Sequence, residues 1–245
     1  MPGQQAALYA YATAGAPGSV VAYGRVTATV AYSPAAYSSQ IDDQFSSAAD
    51  LGNYTQLQSS VTAGTGEVAP TWSIGGGLAS ATAAKPWFGF LVSKVAPSSS
   101  DSTAEVQVQA LDSGAVNNSS GVFTGLVKDA DNYVMVWYNS YFHTSGEDLV
   151  LNGVLQPSGF QAACCADVTL QPGDHFAVAF SGNTLMSYYQ SGSSGPWIEL
   201  ESASVAPLLD LTDAETRAEY HFAFGLRGDS GAMQLSRFQA GSLGS

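Results

Sequence analysis

A chain of 245 residues and 25.3 kDa has the size of one large β domain, or of one domain with a small appendage. Charged residues make up 11% of it, against roughly 25% in an average globular chain, while 45% hydrophobic and 11% aromatic residues supply a full core and exclude disorder as the main state. Seven Lys+Arg against twenty Asp+Glu, a formal net charge of −13, leave little to neutralise phosphates and exclude nucleic-acid binding as the main role.

The opening MPGQQAALYAYATAGAPGSVV lacks a basic stretch followed by an apolar one, so no ordinary secretory leader is expected. Nowhere do eighteen apolar residues run together, so no membrane insertion is expected either. Val20–Tyr32 alternates small or apolar residues with Tyr23, Arg25, Thr27 and Thr29, as a strand with one wet face would. Ser33–Gln40 reads as a linker, which divides the chain into an N-terminal β arm over 1–40 and a main domain over 41–245. From Asp42 onward period-two alternation bounded by Gly, Asn, Asp and Pro predicts strands at Tyr54–Gln58, Ser73–Ser80, Trp87–Val95, Ala104–Leu111, Gly121–Lys128 and Tyr133–Tyr138. Further strands are expected at Asp148–Leu155, His175–Ser181, Leu185–Gln190, Trp197–Glu201, Tyr220–Leu226 and Ala232–Gln239, with one or two helical turns around Asp210–Phe222. About a dozen short strands without an internal repeat point to an all-β fold, an antiparallel two-sheet sandwich or jelly roll. In YVMVWY, Tyr133, Met135 and Trp137 share one face and Val134, Val136 and Tyr138 the other, so this strand should be covered on both sides.

The two cysteines, Cys164 and Cys165, are adjacent. Neighbouring α-carbons lie ~3.8 Å apart, short of the ~4.4 Å lower end for ordinary disulfides, so two free thiols are expected. Two cysteines are also too few for a structural zinc site, and no cofactor is expected.

The order DDQFSSAADLGNYTQLQ, PTWSIGGGLAS, STAEVQVQAL, GVFTGLVKDADNYVMVWYN, LQPGDHFAVAFSGNTLMSYYQSG and HFAFGLRGDSGAMQLSRFQA resembles the concanavalin A-like lectin/glucanase superfamily. The likeness is greatest to the laminin-G-like domains of bacterial and phage proteins, including phage minor tail proteins, and covers roughly residues 42–240. It implies a curved jelly roll of two antiparallel sheets with adjacent terminal strands. It also implies a glycan-binding or adhesive role without catalysis.

Sugar recognition needs flat aromatic surface with amides or carboxylates nearby. The densest supply is Trp137, Tyr138, Asn139 and Tyr141, where a strand runs into WYNSYFHTSG; Tyr188, Tyr189 and Trp197 flank a second polar loop. The same aromatics suit a β core, which is the expected place of Trp137, while Tyr138 and Tyr141 fit either. Asp129, Asp131 and Asn132 carry calcium-type oxygens but read as a hairpin turn, so no metal site is assigned; Asp42 and Asp43 are equally ambiguous. Glucanases of the superfamily use E-x-D-x-E on one strand. Here only Glu199 and Glu201 approach it, Glu105 stands alone, and Glu147 and Asp148 should face opposite ways. His175 and His221 fall where strands begin. Together with composition, the resemblance implies a non-enzymatic virion protein of a phage tail or capsid surface, with a possible glycan-binding jelly roll. Its expected partners are other virion subunits, a second copy paired through the N-terminal arm, and a cell-surface glycan. The alternatives are a secreted lectin and, behind it, a glycoside hydrolase.

Overall fold

The computed structural model describes residues 5–13, 20–29, 37–113, 120–156, 165–229 and 233–243, the first two stretches as backbone. Strands β1 (Gln5–Thr13) and β2 (Val20–Thr29) form an antiparallel pair of their own. The residues after Thr29 that the sequence placed in this strand lie outside the described residues, as does most of the expected linker. Its end is a strand, however: β3 (Tyr37–Asp43) pairs with the last strand of the chain and spans the expected 40/41 boundary. Ser38, Ser39 and Gln40 are exposed; backbone pairing and polar side-chain bonds such as Arg237–Asp42 and Tyr54–Asp43 hold this edge strand, which carries little of the apolar alternation that would have announced it.

After β4 (Tyr54–Leu57) and the single turn α1 (Ser60–Ala63) come β5 (Thr71–Gly75), β6 (Leu78–Thr82), β7 (Trp87–Ser93), β8 (Ser102–Ala110), β9 (Gly121–Asp129) and β10 (Asn132–Asn139). They are followed by β11 (Thr144–Leu151), β12 (Val154–Leu155), β13 (Ala166–Asp167), β14 (His175–Ser181), β15 (Thr184–Gln190) and β16 (Trp197–Ser204). Helix α2 (Ala214–Ala218), β17 (His221–Gly228) and β18 (Met233–Leu243) complete the domain. One stretch expected as a single strand, Ser73–Ser80, is a hairpin: Gly75, Gly76 and Gly77 have φ of 145°, 64° and 87°, which reverses the chain between β5 and β6. The strand expected at Asp148–Leu155 begins earlier, at Thr144, and turns at Asn152–Gly153 into β12.

Two antiparallel sheets result. The first runs β12-β11-β10-β9-β17-β7-β4 with β13 also on β11; the second runs β16-β15-β14-β8-β18-β6-β5 with β3 also on β18. This is the all-β jelly-roll sandwich that the alternation and the motif order led one to expect. Between the sheets Val122, Leu126, Val136, Tyr138, Phe222 and Phe224 meet Val106, Phe176, Val178, Phe180, Phe238 and Ala240, all within 1% of full burial. Phe224 is the hub: its ring lies 4.8 Å from Phe238, 5.5 Å edge-on from Tyr54 and 6.0 Å edge-on from Trp72. Burial of side chains this large contributes ~1.5–3 kcal/mol each before entropy is charged.

Cys165 is disulfide-bonded, and the chain's other cysteine is its neighbour Cys164, which lies outside the described residues. The expectation of two free thiols is corrected. The ~4.4 Å lower end describes ordinary bridges between distant segments and does not by itself decide whether a thiol is oxidised.

Candidate functional site

The first sheet is buried on both faces. Its outer face carries Phe88, Phe90, Val92, Phe123, Val127, Tyr133, Met135 and Val150, with Leu57, Val61 and Trp137 packed against them. Residues 58–68 cross this face as a strap. Ser59 caps α1 by accepting the Val61 N–H, and its hydroxyl lies 3.0 Å from the Tyr133 hydroxyl. Ser60 N–H donates to Ala130 O, and Val68 bridges to Trp87. Glu67 ties the strap to the sheet: Arg227 Nε donates to its Oε1 at 2.7 Å, and Nη2 lies 2.6 Å from the same oxygen.

Where the strap ends, the outer face opens into a hollow of about 210 Å3 lined by Phe123, Trp137, Asn139, Asp148 and Arg227, with Tyr138 at its border. Pairing explains how four strands deliver these groups: Trp137 sits opposite Phe123 on β9 and Gly146 on β11, while Arg227 comes from β17 beyond β9. Gly146 is required here, because a Cβ would stand 2.5 Å from Cζ2 of Trp137; without one the indole lies across β11. Its Nε1–H donates to Asp148 Oδ1 at 3.1 Å, which fixes the ring plane. Burial pushes the Asp148 carboxyl up to about 6, against the opposing pull of the Trp137 hydrogen bond and the Arg227 charge. Among the described residues Asp148 Oδ2 and Arg227 Nη1 have no hydrogen-bond partner, so the hollow offers an acceptor oxygen and a donor nitrogen beside an indole. A second compartment of about 170 Å3, lined by Val61, Phe88, Phe123, Tyr133, Leu155 and the same Asp148 and Arg227, continues it under the strap.

The sequence-derived candidates scatter. Trp137 and Asn139 reach the hollow; Trp137 is half-buried and packs on the apolar cluster of the outer face, so it serves that core and the hollow at once. Tyr138 points the other way and is 1% exposed; its hydroxyl lies 3.2 Å from His143 Nδ1 and accepts the Leu170 N–H. Tyr141 stands exposed in the β10–β11 loop, edge-on to Phe142 at 5.0 Å. Tyr188 and Trp197 belong to the outer face of the second sheet, where the Tyr188 hydroxyl donates to Glu199 Oε2 and the Trp197 ring lies edge-on to His175. Tyr189 packs on the core. These aromatics therefore form no single patch. Asp148, Arg227 and Phe123, which line the same hollow, were not among the sequence-derived candidates. A usable signal existed for Arg227, a cation within the apolar run FAFGLRG in a chain with seven Lys+Arg.

The carboxylates separate likewise. Glu199 and Glu201, spaced to share a face, are split by a β-bulge between Ser187 and Tyr188: Glu199 pairs with Tyr188 and Glu201 with Ser187. Glu201 thereby turns into the gap between the sheets, toward Glu147 on β11. Burial, then the Glu201 charge, pushes the Glu147 carboxyl up to about 8. Glu147 and Asp148 do face opposite ways. Glu105 Oε1 accepts from His175 Nδ1 at 2.6 Å, both buried on the outer face of the second sheet. Asp129 accepts the Asp131 N–H and an Asn132 amide hydrogen, as a turn requires. A larger hollow of about 530 Å3 beside β3 contains Asp42, Asp43, Asp50 and Lys94, but each is engaged: Asp42 by Arg237, Asp43 by Tyr54, Asp50 by Ser47 and Lys94 by Gly52 O. Among the described residues no three His, Cys, Asp or Glu side chains are grouped to hold a metal ion.

No protein-family model matches the sequence, and no curated protein matches it significantly. Solved structures do match in fold. The VIP36 exoplasmic/lumenal domain in its Ca2+/Man2-bound form gives a TM-score of 0.52 at 12% identity, over 79% of this chain and 91% of that one. A structure reported with endo-acting O-glycanases of the human gut microbiota gives 0.53 at 12% identity, over 84% of this chain and 100% of that one. The GH43 protein BlXynB of Bacillus licheniformis, as its K247S mutant, gives 0.53 at 10% identity; this chain covers only 41% of it. At such identities the likeness defines the class of fold, the lectin-type jelly roll.

Proposed function

We propose that the chain is a non-catalytic saccharide-binding domain whose ligand sits in the hollow of Trp137, Asp148 and Arg227. The observation that carries this is the indole held across Gly146 by its bond to Asp148, a fixed aromatic plane with a carboxylate oxygen and a guanidinium nitrogen at its edge. Pyranose rings present an apolar C–H face and in-plane hydroxyls, and this arrangement complements both. The fold adds that VIP36, built on the same architecture, has been determined with Man2 bound. Hydrolysis by either carboxylate geometry needs two carboxyl groups flanking the scissile bond. Among the described residues lining the hollow, Asp148 is the one carboxylate. A glycan array followed by calorimetry on the best hit, for the wild type and Trp137→Ala, tests the reading; absence of saccharide binding at millimolar concentration refutes it.

The finer part of the proposal is the setting. A surface rich in Ser, Thr, Gly and Ala and poor in Lys, together with the motif order, supports a phage-particle surface with other virion subunits as neighbours. The N-terminal arm could there pair with a second copy. Sedimentation with purified particles separates this setting from a secreted lectin.

A further inference from the structure

The two compartments share Phe123, Asp148 and Arg227 and so form one ligand space with unlike ends. One end, beside Trp137, has an open acceptor and an open donor. In the other, every hydroxyl is already committed to the strap: Tyr133 to Ser59, Thr62 Oγ1 to Ser59 O, and Thr65 Oγ1 to Thr62 O. Asp148 and Arg227 border that end as well, but the rest of its wall is Val61, Phe88, Phe123 and Leu155, so a methyl placed there is matched by apolar contact where a hydroxyl gains less. Together they lie near the lower end of the ~300–1,000 Å3 of a drug-sized site, so the space suits one ring with one small substituent. Charge narrows the choice further. Arg227 is countered by Glu67, and Asp148 adds a negative charge, so a ligand carboxylate meets net repulsion.

Resting on the saccharide-binding reading, we propose that the site selects a neutral deoxy sugar, one with a ring methyl where a plain hexose has a hydroxymethyl group. The methyl enters the compartment under the strap while the ring lies on Trp137 with its hydroxyls toward Asp148 and Arg227.

The test uses matched sets of methyl glycosides, each a 6-deoxyhexose, its parent hexose and its hexuronic acid, in gluco, galacto and manno configuration and both enantiomeric series. Binding to the full chain is read by calorimetry and saturation-transfer NMR. In the set that binds, the deoxy sugar is expected to be about three- to tenfold tighter than its parent, and the uronic acid at least about tenfold weaker than the parent. The methyl protons should show the strongest saturation, and Leu155→Ser should bring the deoxy-to-parent ratio to about one. A parent hexose as tight as its deoxy form, or a uronic acid tightest of the three, overturns the selectivity and leaves saccharide binding standing. If no sugar of any set binds, the proposed function itself falls, and the selectivity with it.

Discussion

Glu147 offers a direct test of how the two sheets meet. It is 4% exposed and turned inward from β11, with its carboxyl pushed from 4.5 to about 8 by burial and by Glu201 across the gap. Between those two values the folded chain holds a proton that the unfolded chain has released. Stability therefore falls as pH rises through this window. At ~1.4 kcal/mol per pH unit the full effect is on the order of 4–5 kcal/mol, reached above pH 8. Glu147→Gln removes the ionisation while keeping the side chain's shape. Urea midpoints at pH 4.5, 6, 7.5 and 9 should show little difference between variant and wild type at the lowest pH, with the variant gaining steadily above it. Glu201→Gln should flatten the wild-type decline in part, because one source of the elevation is gone. The many surface carboxylates repel one another increasingly at high pH, but that background is common to both proteins and cancels in the difference. A Glu147→Gln chain no more stable relative to wild type at pH 9 than at pH 4.5 would refute the buried-pair reasoning.

Four further outcomes are expected. Gly146→Ala must tip the Trp137 indole off β11, so its fluorescence should shift and saccharide binding should fall at least about tenfold, with a stability cost of ~1–3 kcal/mol for the overpacking. Arg227→Ala leaves Glu67 buried and unpaired, a loss of ~3–5 kcal/mol in chemical denaturation that adding Glu67→Gln should largely restore. Phe224→Ala, which empties the centre of the aromatic cluster, should cost ~3–5 kcal/mol by the same assay. Calorimetry across pH 5 to 7.5 should show ligand affinity rising as Asp148 ionises near 6 and becomes the acceptor that holds both indole and sugar.

The sheets were legible because their strands repeat with period two and each inner face is apolar; Phe176, Val178 and Phe180 on β14 announce themselves. β3 was not, since Ser38, Ser39 and Gln40 are exposed and the strand is held by backbone and polar side-chain bonds, most of them to a partner some two hundred residues away. The GGG hairpin was hidden within a pattern that reads equally well as one strand. The hollow was half legible. Trp137 and Asn139 stood out from local composition, but Asp148 and Arg227 join them only through strand order, and four strands that are not all consecutive line it. Spacing also misled at Glu199 and Glu201. An i, i+2 pair shares a face only while the ladder is regular, and the bulge opposite Ser187 and Tyr188 reverses the second residue.

The pairing of Tyr37 with Leu243 has an architectural corollary. The points at which the backbone enters and leaves the sandwich are neighbours on hydrogen-bonded strands, so the domain is a bead whose two leads emerge at one corner. It can be spliced into an exposed loop of a host protein without stretching either side. A permuted version, with those leads joined by a few glycines and new termini cut in the Gln190–Gly195 turn, should keep both sheets intact.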